Sequence, residues 1–230
     1  NEPFENKELG KGQYTKKIFH LSNLIPAWVR YLFSSLNHLS VVEESWNVYP
    51  YCKTVFHCEY FGAKFKIDVE TKHTEGELGK IENIHNLSQE ELIKRKVDFI
   101  DIVKDPVPAK KYKKEEDPNF FKSSVREIGP LKPEWYKTTK PVLCAYKLVR
   151  VKFDKWIIGS RIENAIHDYG FREIFLEVNR QCFCWMDEWI WMKMEDIRKY
   201  EAECAKKQNA GVAEERAEIN NNNDEEEQKE

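Results

Sequence analysis

Apolar and polar side chains alternate with a period of two in five segments, which are therefore predicted β-strands: 13–21, 50–60, 64–73, 97–103 and 142–153. Apolar residues recur at helical spacing in three others, 24–36, 156–178 and 194–207. Strands prevail in the first two thirds of the chain and helices in the last third. This order favours an α+β fold, a largely antiparallel sheet covered by helices.

The chain has 230 residues, of which 41% are hydrophobic and 33% charged. One domain with a sizeable core is favoured over two. No apolar run approaches the roughly 20 residues of a membrane-spanning helix. The six cysteines show no C-x-x-C spacing, so we expect reduced thiols rather than a zinc site.

Charge is unevenly distributed along the chain. The net charge is -3, but residues 213–230 carry eight acidic and two basic side chains. The rest is thus mildly basic, which suits contact with an anionic membrane surface and is too weak to predict nucleic-acid binding. The low-complexity acidic tail cannot bury apolar area and is predicted to be disordered.

A few polar residues lie on the apolar faces of the predicted strands. Lys147 interrupts the apolar face of 142–153, and Thr54 and Thr71 lie on the inward faces of their strands. Singly, the lysine could reach solvent or pair with a structural carboxylate, and each threonine could bond to backbone. Together they could hold a phosphate, with charge from the lysine and neutral donors from the threonines.

Two further segments repeat this pattern. Thr15 and Lys17 share a strand face with Phe19, and Glu201 borders the apolar stripe of the last helix, unless it is an exposed partner of Arg198. If these groups face one cavity, its ligand combines an anionic centre, hydroxyls and a large apolar part, as a phosphoinositide-type lipid does. At about 0.8 kcal/mol per CH₂, two acyl chains of roughly sixteen carbons cost on the order of 25 kcal/mol in water, so both must be enclosed.

Signatures of catalysis are missing from the sequence. There is no G-x-S-x-G, P-loop, H-E-x-x-H or dinucleotide fingerprint, and the six histidines are scattered. We therefore predict that the protein is not an enzyme. A hydrolase whose triad assembles only in three dimensions stays an alternative.

Several ordered blocks of sequence resemble the phosphatidylinositol transfer protein family, in its single-domain soluble form. They are Gly-Gln-Tyr-Thr-Lys-Lys-Ile (12–18), Trp-Asn-Val-Tyr-Pro-Tyr-Cys (46–52), Asp-Pro (117–118), Cys-Ala-Tyr-Lys-Leu-Val (144–149), Arg-Gln-Cys-Phe-Cys-Trp (180–185) and Asp-Ile-Arg (196–198). The likeness implies a START-like, helix-grip fold in which a curved, mostly antiparallel sheet and long helices enclose one phospholipid. It divides the chain into a lipid-binding domain, 1–206, and a disordered acidic tail, 207–230.

The resemblance also implies a function without chemistry. Such proteins exchange phosphatidylinositol for phosphatidylcholine between membranes, so we expect a cytoplasmic monomer that visits membrane surfaces transiently. Its cargo is the phospholipid, and no cofactor, metal or nucleic acid is expected. A lipid sensor or presenter that uses the same cavity without net transfer is the alternative.

Residue roles follow from matching this chain to the family pattern. The implied inositol contacts are Thr15, Lys17, Asn47 and Glu201, the implied phosphate contacts are Thr54, Thr71 and Lys147, and Ser123 matches a regulatory phosphorylation position. The family's membrane-touching loop carries a tryptophan pair where this chain has Lys155 and Trp156, although Trp156 could instead pack in the core. The family's first strand, which holds another phosphate contact, would precede Asn1, so we expect an incomplete cavity and an exposed sheet edge.

Overall fold

The computed structural model describes residues 1–20, 39–76, 78–154 and 170–227, with side chains described as far as residue 212. Its centre is one antiparallel sheet of six strands in the order β1 to β6. The strands are β1 (Glu2–Asn6), β2 (Gly10–His20), β3 (Ser40–Val48), β4 (Tyr51–His57), β5 (Phe65–Glu75) and β6 (Leu143–Phe153). The sheet is open, with β1 and β6 at its edges, and the prediction of an α+β fold is confirmed.

Four predicted strands correspond to β2, β4, β5 and β6, whereas the strand predicted at 97–103 is wrong. The chain bends there because the Asp101 carboxylate accepts hydrogen bonds from the backbone N–H groups of Val103 (2.9 Å) and Lys104 (3.3 Å). A local aspartate turn of this kind competes with extended backbone. Strands β1 and β3 were not predicted. In β3, pairs of like residues such as Val41-Val42 and Glu43-Glu44 obscure the alternation of apolar and polar side chains.

The described helices are α1 (Gln89–Lys94), α2 (Arg172–Cys184), α3 (Met186–Trp189) and α4 (Met194–Glu227), with 3₁₀ turns at Gly62–Lys64, Lys114–Glu116 and Trp135–Lys137. Helix α1 begins with a capping box formed by Ser88 and Glu91. The predicted helix 24–36 lies outside the described residues, as does most of the helix predicted at 156–178. The last residues of the latter prediction overlap the first half of α2. No described helix is both long enough and apolar enough to cross a bilayer.

Helix α4 continues to Glu227, through the segment for which a disordered tail was predicted from residue 207. The prediction of a disordered tail rested on missing apolar area alone and stays a prediction. The same segment contains three alanines and six glutamates, which have high intrinsic helix propensity. The intrinsic helix propensity of these residues therefore favours a helical backbone, although the segment has little apolar surface to bury.

The chain divides into two compact units. The first comprises Asn1–Ser123 and Glu127–Cys184, and the second comprises Ser124–Arg126 and Trp185–Glu230. The sheet and helix α2 belong to the first unit, and helices α3 and α4 belong to the second.

A buried ion pair fastens helix α2 to the long connection between β5 and β6. The Arg180 guanidinium lies 3.0 Å from the Asp117 carboxylate, and their side chains are only 6% and 8% exposed. Arg180 also donates to the carbonyl of Ile102 (2.7 Å), and Asn119 donates to Asp117. Burial alone would raise the pKa of Asp117, but these hydrogen bonds and the Arg180 charge hold that pKa below its ordinary value.

Removal of one member of this pair should cost far more stability than removal of an exposed charge. We expect Arg180→Ala to lower the free energy of unfolding by about 3 kcal/mol, because the Asp117 carboxylate stays buried without its partner. The matched control is Lys94→Ala, whose ion pair with Glu90 is largely exposed and should contribute little. Urea unfolding followed by tryptophan fluorescence measures both, and equal losses would contradict this account.

Candidate functional site

The antiparallel register gathers six of the seven predicted headgroup residues on one face of the sheet. Paired residues of neighbouring strands share a face, and Thr15 lies opposite Ser45, Ser45 opposite Thr54, and Thr71 opposite Lys147. We call this the inner face; its predicted headgroup residues are Thr15, Lys17, Asn47, Thr54, Thr71 and Lys147. The alternation of the sequence thus places these groups together.

Apolar side chains surround the polar groups of the inner face. Ile67, Val69 and Phe153 are buried on it, and the start of helix α2 packs over it. The ring of Phe171 lies 5.9 Å from that of Phe56, and the Lys147 ammonium lies 4.7 Å from the centre of the Phe175 ring. Polar groups in such a setting need specific partners.

Lys147 is the cation of the inner face. Its ammonium donates a hydrogen bond to the Thr71 hydroxyl (3.2 Å), and Thr71 is only 3% exposed. Desolvation by surrounding protein lowers the pKa of Lys147, although the residue as a whole is exposed to solvent. Both properties fit a lysine that is accessible to solvent and lies beside apolar side chains.

The sequence left open the alternative that Lys147 forms an ion pair with a structural carboxylate. Within the part of the chain that the structure describes, no carboxylate lies within salt-bridge distance of its ammonium. Arg150, three residues along on the outer face, differs: it is ion-paired with both Glu70 (2.7 Å) and Glu91 (3.1 Å). A partly desolvated ammonium whose described partners are neutral is a favourable position for an anion.

A chain of polar side chains connects the predicted ring contacts to the predicted phosphate contacts. Ser45 lies 2.8 Å from the Thr54 hydroxyl and donates to the Glu43 carboxylate (3.3 Å), which in turn lies 3.9 Å from the Lys17 ammonium. Sequence reasoning missed Glu43 and Ser45 because β3 itself was missed. A search of the unassigned segment between two strands for alternating polar residues could have found them.

Cys52 lies on the same face, opposite both Asn47 and Thr71. Burial raises the pKa of its thiol, and the hydrogen bond with Thr54 and the Lys147 charge only partly oppose this. The thiol is therefore kept neutral beside the phosphate-binding candidates.

The remaining ring candidates lie towards the β1 side of the sheet. The Thr15 hydroxyl donates to the Asn1 side-chain oxygen (2.7 Å), and Asn47 is exposed. At Gly12, a Cβ atom would come within 2.1 Å of the Asn47 carbonyl oxygen, so only glycine permits the approach of β2 to β3 there.

Other predicted site residues are not placed with this group. Glu201 belongs to the second unit, on helix α4, where it is ion-paired with Arg198. Lys155 and Trp156 lie outside the described residues. No cluster of three or more histidine, cysteine or acidic side chains suited to a metal ion occurs among the residues that were described.

Ser123 is fully buried in the first unit. Its side chain has no exposed area, and its backbone N–H donates to the carbonyl of Ile128 (2.9 Å). The neighbouring Ser124, in contrast, is exposed and bonds to Asp187 through both its backbone N–H and its hydroxyl, each at 2.7 Å. A kinase could reach Ser123 only after local opening of the loop.

The arrangement of the inner face suits the binding of an anionic, hydroxyl-rich group beside apolar surface. The family model described as "Phosphatidylinositol transfer protein" matches residues 1–206 of this chain. The chain belongs to the phosphatidylinositol transfer protein family. The α+β fold with an open antiparallel sheet agrees with this family membership.

Individual relatives support the same family. A phosphatidylinositol transfer protein 2 of Dictyostelium discoideum is 46% identical over 212 residues, which cover 90% of this chain and 80% of the relative. A cytoplasmic phosphatidylinositol transfer protein 1 of Drosophila melanogaster is 43% identical over 87% of this chain and 72% of its own length. A human membrane-associated phosphatidylinositol transfer protein 2 is 45% identical over 88% of this chain, but the match spans only 15% of that much longer relative.

The burial of Ser123 predicts that a kinase phosphorylates it slowly in the folded protein. A basophilic serine kinase should label Ser123 in a synthetic peptide of residues 119–126 about tenfold faster or more than in the folded chain, because the loop must open first. Mass spectrometry quantifies the label, and Ser124, exposed in the folded chain, is the internal control. Equal rates at Ser123 in peptide and folded chain would contradict this prediction.

Proposed function

We propose that the protein binds one phosphatidylinositol or phosphatidylcholine molecule on the inner face and exchanges it between membranes. The observation that carries this proposal is the position of the Lys147 ammonium, which is partly desolvated and has the Thr71 hydroxyl and the Phe175 ring as its described partners. A phosphodiester supplies the missing negative charge, and Thr54 and Thr71 supply hydroxyl donors for its oxygens.

Headgroup selectivity has a physical source in this arrangement. The hydroxyls of an inositol ring can exchange hydrogen bonds with Thr15, Lys17 and Asn47, whereas choline has no hydroxyl to offer. The phosphate contacts serve both lipids equally. The site therefore favours inositol through the ring contacts alone.

Transfer requires opening and closing at a membrane but no bond-making chemistry. The acyl chains must leave water during transport, since their exposure costs on the order of 25 kcal/mol. We infer that Lys155 and Trp156 contact the membrane during this exchange. The protein acts in the cytoplasm as a monomer that visits membranes transiently and carries the lipid unchanged.

A vesicle assay tests the proposed function. Donor vesicles with labelled phosphatidylinositol or phosphatidylcholine are incubated with the chain and unlabelled acceptors, and the recovered lipid is analysed by mass spectrometry. The proposal expects both lipids to move and to remain intact. Binding of lipid without transfer would instead identify a sensor or presenter. Recovery of hydrolysed lipid would identify a hydrolase.

Loss of the Lys147 charge should weaken the binding of both lipids. We expect Lys147→Ala to reduce phosphatidylinositol and phosphatidylcholine transfer alike by about tenfold or more, because a charge-assisted hydrogen bond to the shared phosphate is lost. Lys152→Ala is the matched control, since Lys152 lies on the same strand but on the outer face. Unchanged transfer by Lys147→Ala would reject its phosphate role.

A bulky acid at Thr15 should separate the two lipids. Thr15→Glu is expected to abolish phosphatidylinositol transfer and to spare phosphatidylcholine, because the new side chain occupies the ring position and not the phosphate position. The control Lys16→Glu places an acid on the outer face of the same strand. Equal loss of both lipids in Thr15→Glu would reject Thr15 as a ring contact.

A further inference from the structure

Glu43 is a carboxylate on the inner face that the proposed contacts do not include. It lies on β3, opposite Lys17 on β2 and Phe56 on β4, and its side chain is only 16% exposed. The neighbouring Glu44 points to the outer face, where it accepts a hydrogen bond from Tyr14 (2.6 Å). One of two consecutive glutamates is thus directed towards the predicted ring contacts.

Two contacts determine how the Glu43 carboxylate is held. Its Oε1 atom accepts a hydrogen bond from Ser45 (3.3 Å) and lies 3.9 Å from the Lys17 ammonium. An ionised carboxylate can only accept hydrogen bonds, at about four lone-pair positions on its two oxygens. With Oε1 engaged by Ser45 and Lys17, Oε2 has no hydrogen-bond partner among the residues that the structure describes, so it keeps capacity for a donor from a ligand.

The charge of Glu43 also changes what Lys17 can attract. A lone lysine beside the ring site would favour a phosphorylated ring, because a phosphomonoester carries close to two negative charges. With Glu43 beside it, the pair is close to neutral, so a ring phosphate gains little attraction and meets the carboxylate's repulsion. A neutral ring hydroxyl, in contrast, can donate to Oε2 at no such cost.

We propose that Glu43 is a specificity-determining residue that accepts a ring hydroxyl and excludes ring-phosphorylated phosphoinositides, with Ser45 as its positioning residue. This inference rests on the proposed function, since it concerns the ring of the same bound lipid. Selection of this kind combines an attractive contact to the correct ligand with a repulsive element against the close competitor.

Three labelled lipids separate attraction from repulsion. The wild-type chain, Glu43→Gln and the control Glu44→Gln are assayed for transfer of phosphatidylinositol, phosphatidylcholine and a phosphatidylinositol monophosphate. We expect Glu43→Gln to lower the phosphatidylinositol-to-phosphatidylcholine ratio about fivefold, the value of one hydrogen bond, and to raise monophosphate transfer by about tenfold. Glu44→Gln should leave both ratios unchanged, because its side chain is on the other face.

Two further variants distinguish charge from orientation. Glu43→Asp keeps the charge and should still exclude the monophosphate. Ser45→Ala removes the hydrogen bond but not the charge, so it should lower the phosphatidylinositol-to-phosphatidylcholine ratio by about twofold while exclusion persists. Thermal melting of each variant shows whether it is folded.

The outcomes are distinct for this inference and for the proposed function. If the wild-type chain transfers none of the lipids, the proposed function fails and this inference fails with it. If the wild-type chain transfers phosphatidylinositol but Glu43→Gln leaves both ratios unchanged, only the role of Glu43 is overturned. An equal loss of phosphatidylinositol and phosphatidylcholine in Glu43→Gln, without gain of monophosphate, would overturn it as well.

Discussion

The proposed site depends on the cost of partly desolvating an ammonium group beside apolar side chains. Lys147 lies between the Thr71 hydroxyl and the Phe175 ring, and the surrounding protein lowers its pKa. A fold tolerates such a group when an anion or several acceptors offset the desolvation. The described carboxylates near β6 pair with Arg150 on the other face, and we propose that a ligand supplies the negative charge beside Lys147.

The antiparallel register places further polar side chains on the same face of the sheet as Lys147. Thr71 faces Lys147 across β5 and β6, while Thr15, Ser45 and Thr54 follow one another across β2, β3 and β4. Cross-strand neighbours lie about 5 Å apart, so a headgroup can span several of them at once. A shift of one residue in any strand would move its polar groups to the outer face, so the proposed binding depends on the register.

Much of the fold and most of the sheet part of the site could be predicted from the sequence. Alternation placed Thr54, Thr71 and Lys147 on inward faces because a period of two survives in β4, β5 and β6. It failed at 97–103, where the Asp101 carboxylate bends the backbone, and in β3, where doubled residues conceal the strand and with it Glu43 and Ser45. The ion pair between Arg180 and Asp117 joins residues distant in sequence, so no local pattern could reveal it. The roles of the headgroup residues came from family resemblance rather than from alternation, and they stay predictions.

The central claim is that the polar groups of the inner face hold the head of a phospholipid. A crystal structure of the chain loaded with phosphatidylinositol tests this most directly. The account predicts the lipid phosphate within hydrogen-bond distance of the Lys147 ammonium and the Thr71 hydroxyl, with the inositol ring towards Thr15 and Lys17. A phosphate bound elsewhere, with Lys147 still bonded only to Thr71, would contradict it.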